Sequence, residues 1–140
     1  MKFDPSIHKS VIVINEALPL GLAMNALSVI GVSLGRTLDG IVGPDIYSKD
    51  QFMYPGVINS PLPILKACQS TLNSIHATFA NNQDVLLTPF SCLAQSCRTY
   101  DEYENKLSSA NSDELELSGI GIVGLKKQVN KYTGSLSLYK

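Results

Sequence analysis

GIGIVGLKKQVNKYTGSLSLY, residues Gly119–Tyr139, decides how this chain reads. Its first six residues are apolar and spaced by glycines. With the alternating ELELS before them, they predict a strand entering a core. LKKQVNKYT then predicts a helix, with Gly134 as its stop. The remaining Ser-Leu-Ser-Leu-Tyr alternates and predicts a short closing strand.

Working back from this end, strands and helices alternate. KSVIVINEA carries a continuous β-branched run, Val11–Ile14, of the kind that fills a central strand covered on both faces. Pro19 opens a helix running to about Leu34, with Leu20, Leu27, Ile30 and Leu34 at helical spacing. Ala23, Ala26, Ser28, Gly31 and Gly35 keep its other faces thin, which would allow close approach to a sheet or to another helix. The segment Thr37–Ser60 is rich in Gly, Pro and Asp and predicts a long excursion with at most a short hairpin. PLPILKA predicts an edge strand, since prolines flank it. CQSTLNSIHATFANN predicts a helix with Cys68, Leu72, Ile75 and Phe79 on one face. DVLLTP predicts a third strand, and TYDEYENKLSS a short exposed helix capped by Thr99. This order predicts one domain, residues 1–140, built as a three-layer α/β/α sandwich on a mixed four-stranded central sheet.

Composition narrows the function classes. The chain has 140 residues, 44% hydrophobic and 16% charged, with a net charge of −1. A general nucleic-acid binder would be more basic. Six acids in Asp101–Glu116 and four lysines in Gly119–Lys140 read as two solvated surfaces facing each other, with a basic patch for an anionic ligand as the alternative. Cys68, Cys92 and Cys97 are odd in number and lack paired spacing, which points to a reducing, cytoplasmic setting. Cys68 reads as a buried free thiol. MKFDPSIHKS lacks the apolar stretch of a secretory signal. Ala17–Gly35 is uncharged, but its proline, asparagine and glycines argue for a buried helix rather than a membrane span.

No dinucleotide fingerprint or phosphate loop follows the first strand, where Gly21 stands alone. Asn25 is the one strongly polar residue of an apolar helix, and suits a neighbouring backbone, a partner subunit or a ligand. TPFSCLAQSC sits at a strand end, so Ser91 or Cys92 could serve as a nucleophile. Ser91 lacks the G-x-S-x-G elbow, and the only histidines are His8 and His76. The spacing Cys92-x4-Cys97 is not that of a zinc site, and no metal or other cofactor is expected.

The ending resembles that of the type II peptidyl-tRNA hydrolases, with Lys131, Thr133, Gly134, Leu136, Leu138 and Tyr139 at the family's spacing. VIVINEALPLG resembles that family's first strand, and PLPILKA its second. The chain as a whole is more similar to an uncharacterised branch of that fold, a domain of unknown function. The resemblance implies the peptidyl-tRNA hydrolase II fold. It does not imply the activity. Gly21-Leu22-Ala23-Met24 stands where the hydrolases carry Gly-Lys-Gly-Lys, and Phe90 stands near their aspartate. The residues around Ala26, Leu27 and Ser28 replace their Ala-Ala-Gln.

The expectation is therefore a non-hydrolase small-molecule-binding or regulatory module. Its cleft would lie between the first helix, the TPFSC turn and the last helix, with Asn25, Thr88, Ser91, Cys92 and Lys126 as candidate contacts. The alternatives are a hydrolase, either peptidyl-tRNA hydrolase-like or dependent on Ser91 or Cys92, and a structural homodimer joined near Asn25, Gly31 and Gly35. tRNA and membranes are not expected as partners.

Overall fold

A computed structural model describes residues 1–140. β1 (His8–Asn15) pairs in parallel with β4 (Ile64–Ala67) and antiparallel with β6 (Leu117–Leu125), which in turn pairs antiparallel with β5 (Leu86–Ser91). The main sheet is thus mixed, in the order β4-β1-β6-β5. The β-branched run Val11–Ile14 occupies a central position and is buried on both faces, as its composition requires. Chain ends Ser137 and Tyr139 hydrogen-bond to β4, and Leu138 forms a single bridge to Leu65. The expected closing strand is reduced to that bridge.

The alternation of side chains along β1 and β6 distributes two cores. Ile12 and Ile14 face α1 (Leu20–Thr37), where Ala23, Ala26, Ile30 and Leu34 cover them. Val11, Val13, Ile120 and Ile122 face α2 (Gln69–Phe79) and α5 (Lys126–Thr133), which supply Leu72, Ile75, Phe79 and Val129. One helix on one face and two on the other make the expected three-layer α/β/α sandwich on a mixed four-stranded sheet.

Several sequence expectations change. α1 is not a buried helix: Leu20, Met24 and Val32 are exposed, and only four of its residues are buried. It is long and apolar enough to cross a membrane, but here it packs as one layer of the sandwich. The close approach of α1 to the sheet is not made by Gly31 and Gly35, beside which there is open space. It is made by the strand: a Cβ at Gly119 would lie 3.0 Å from Ile30 Cδ1, and one at Gly121 2.9 Å from Ile30 Cγ2. The two charged segments form no salt bridge with each other, as expected of solvated surfaces, and the one salt bridge is local, Lys106 to Glu102 at 2.9 Å. Cys68 is exposed rather than buried, because it is the N-cap of α2 and not a residue of its apolar face.

The excursion after α1 forms a projecting arm. Ile41 and Asn59, Val42 and Ile58, and Gly43 and Val57 are joined at its base. Beyond them β2 (Ile46–Tyr47) pairs with β3 (Met53–Tyr54), and neither joins the main sheet. After β5 the chain makes a short helix, α3 (Cys92–Ser96), then α4 (Tyr100–Ser108) and a 3-10 turn at Ser112–Glu114. Thr99 caps α4 as expected, its hydroxyl accepting from the Glu102 N–H at 3.1 Å.

Candidate functional site

β1, β4 and β5 run in parallel, so their C-terminal ends meet at one edge of the sheet, beside the start of β6. Asn15 closes β1 there. Its buried side chain donates to Gln69 Oε1 and to the Leu117 carbonyl, both at 3.0 Å, and its Oδ1 accepts from the Ala17 N–H. Gln69 Oε1 also accepts from the Leu117 N–H at 3.2 Å. These bonds lock the entries to α1 and α2 against β6.

A second polar cluster ties α3 to α1. Buried Ser118 donates to Gln95 Oε1 at 2.6 Å and lies 3.3 Å from Cys92 Sγ. Gln95 Nε2 reaches the Leu22 carbonyl at 2.9 Å and Asn25 Oδ1 at 3.3 Å. Asn25 therefore has a side-chain partner within its own chain.

Two cavities flank β5, both bordered by Pro89 and Tyr103. The first, of about 530 Å³, lies between α1, β5, α3 and α4. Asn25, Ser33, Thr88, Gln95 and Thr99 supply polar groups beside the tyrosine hydroxyls, and Arg98 is its one charged side chain. Thr88 Oγ1 is buried and has no partner among the protein's own atoms. Tyr100 and Tyr103 meet edge to face beside it, ring centroids 5.7 Å apart. Burial, and then neighbouring Tyr100 and Cys97, push the Tyr103 hydroxyl above its ordinary range, so it remains a neutral donor at physiological pH.

The second cavity, of about 550 Å³, lies on the other side of β5, against α2 and the 3-10 turn. Ser91, His76 and Asp113 line it. Ser91 Oγ accepts from the Ala94 N–H at 3.2 Å as the N-cap of α3, and makes no hydrogen bond to His76.

The structure therefore divides the five sequence candidates. Asn25 and Thr88 share the first cavity. Ser91 opens into the second, because it lies three residues beyond Thr88 on one strand and so points to the opposite face. Cys92, half-buried, has Ser118 as its one side-chain hydrogen-bond partner. Lys126 starts α5 at the far end of β6, where its N–H donates to the Ile7 carbonyl. No single cleft joins α1, the TPFSC turn and α5. Sequence reasoning passed over Arg98, Tyr100 and Tyr103. The helical spacing of Tyr103 and Leu107 behind a Thr99 cap was the available signal for the half-buried face of α4, beyond which Tyr100 stays 78% exposed.

No three His, Cys, Asp or Glu side chains converge as a metal site. Leu22 and Met24, where the resemblance would place the hydrolase lysines, are 44% and 59% exposed and present apolar side chains to solvent. Phe90 packs against the α1 core.

Comparison with solved structures finds the "protein of unknown function Atu0240" from Agrobacterium tumefaciens strain C58. It has a TM-score of 0.84 at 16% identity, covering 95% of this chain and 98% of that one, which is a likeness of fold. A search of curated proteins found no match. The family described as "Protein of unknown function (DUF2000)" matches residues 8–140, and this chain belongs to it.

Proposed function

We propose that this chain acts as one domain, a cytoplasmic non-hydrolase module that binds a small anionic molecule between α1, β5 and α4. The observation that carries the proposal is the make-up of the first cavity. Arg98 is its only charge and enters no ion pair, while Thr88 Oγ1 is buried without a partner. An anionic group would meet the guanidinium, and a ligand acceptor or donor would satisfy the hydroxyl. Tyr100 and Tyr103 offer ring surface to the apolar part of the ligand. A cavity of about 530 Å³ with a few convergent polar groups has the general form of a small-molecule site. Leu22 and Met24 support the non-hydrolase half of the reading. Neither can stabilise a developing negative charge, and losing one such donor typically costs about a hundredfold or more in rate. The free cysteines fit the cytoplasm.

The test is a thermal-shift panel of carboxylates, phosphate esters, nucleotides, amino acids and tRNA. A ligand at a hundred times its Kd adds about 2.7 kcal/mol. The expected result is a shift by one anionic class that Arg98→Ala abolishes. Turnover of peptidyl-tRNA, or a shift by neutral compounds alone, would overturn it.

A Ser-dependent hydrolase is the second reading, because Ser91, His76 and Asp113 border one cavity. It predicts labelling of Ser91 by a fluorophosphonate. The bond from Ala94 to Ser91 Oγ and the absence of a bond to His76 speak for no labelling.

A further inference from the structure

The arm between α1 and β4 is at odds with a monomer. Ile46 pairs with Tyr54 on one face and Tyr47 with Met53 on the other, and all four are exposed, as are Phe52 and Val57. A two-stranded hairpin is marginal in water by itself. This one is apolar on both faces, so it is built to be covered on both. Its three aromatics are 61–67% exposed, and the six side chains together offer roughly 700 Å² of surface. That is about what one partner contributes to a standard-size protein interface.

The same chain carries a surface suited to receive it. At the base of the arm an apolar dimple of about 90 Å³ opens beside Gly31 and Gly35, lined by Leu34, Ile41, Ile58 and Leu62 among others. It has room for about one apolar side chain. Neither glycine is in contact with anything that a side chain there would displace. Val32, 76% exposed, extends the apolar surface along α1. From Gly43 to the turn at Lys49 the arm is about 20 Å long at strand rise. Two arms running antiparallel past each other would therefore set the tip of each on the base of the other.

We propose that the partner of this arm is a second copy of the chain, in a two-fold dimer. The arm of each copy lies along α1 of the other and fills the Gly31–Gly35 dimple with a side chain from near its tip. Knob and hole on one chain give a self-complementary contact that closes at two copies. Ligand binding in the α1–β5–α4 cavity is a separate matter and does not enter this argument.

Sedimentation equilibrium tests it on the full chain, with two variants. Tyr47→Lys/Tyr54→Lys charges both faces of the arm. Gly35→Glu places a charge beside the dimple, outside the arm, where a side chain has open space. The expected result is a wild-type mass twice the 15.1 kDa of one chain, and 15.1 kDa for each variant with unchanged far-ultraviolet circular dichroism. A wild-type monomer at about 0.1 mM, far above the Kd of a stable interface of this size, would overturn it. A dimer that survives both variants would also overturn it. So would a monomer whose arm binds phosphatidylcholine vesicles, since lipid would then be the cover.

Discussion

Ser118 donates its hydroxyl to Gln95 Oε1 at 2.6 Å, and the amide of the same glutamine reaches Leu22 and Asn25. One side chain thus joins β6 and α3 to the first turns of α1, and α1 and α3 are two of the walls of the first cavity. Ser118 is fully buried, so its hydroxyl cannot turn to water instead. Gln95→Ala should lower stability by about 1–3 kcal/mol. Combining it with Ser118→Ala should cost less than the sum of the two single changes. A double-mutant cycle from urea denaturation measures that coupling.

Gly119 admits no side chain. A Cβ there would stand 2.9 Å from Ile14 Cδ1 and 3.0 Å from the Val13 carbonyl, and the carbonyl, as backbone, cannot step aside. Gly119→Val should destabilise by about 1–3 kcal/mol or more through overpacking. The urea midpoint should fall with the slope unchanged.

Thr88→Val should act in opposite directions on stability and on binding. The hydroxyl it removes is buried and unpaired, and such a group costs about 1–3 kcal/mol. The ligand-free variant should therefore melt at a higher temperature than the wild type, and the ligand-induced shift should shrink. A variant that melts lower without ligand would show that the hydroxyl already has a partner.

Cys68 should be the most reactive thiol. It is exposed, and the Ser70 and Thr71 hydroxyls, 3.1 and 3.3 Å from Sγ, hold its thiol down to about 7 by bonding the thiolate. The sign follows directly: stabilising the charged form lowers the pKa, so alkylation should rise with pH and reach half its plateau near 7. Ser70→Ala/Thr71→Val should move that midpoint up toward the ordinary value of about 8.5. Iodoacetamide labelling, followed by mass spectrometry of the Cys68 peptide, reads both.

Much of the fold is legible in short stretches. Val11–Ile14 has the unbroken β-branched composition of a doubly covered strand, and Leu72, Ile75 and Phe79 fall on one helical face. The Thr99 cap and the family resemblance of the C-terminal run are legible for the same reason: each rests on backbone geometry spanning a few residues. Cys68 shows where this fails, because an apolar period extended one residue too far turns a cap into a supposed core residue.

The sequence by itself determined the main element types and the three-layer class. Only the tertiary structure decided the site. Pairing Ile14 with Gly119 sets the direction of β6, and that direction carries Lys126 to the end of the sheet away from Ser91. The strand alternation of β5 then separates Thr88 from Ser91, and the return of the chain through Arg98 and α4 lines the same cavity as Thr88 with Arg98 and Tyr103. Local signals come from hydrogen bonds within one turn or one strand. Which strand lies beside which, and which face a helix covers, depends on contacts between residues far apart in the chain, and no short stretch encodes them.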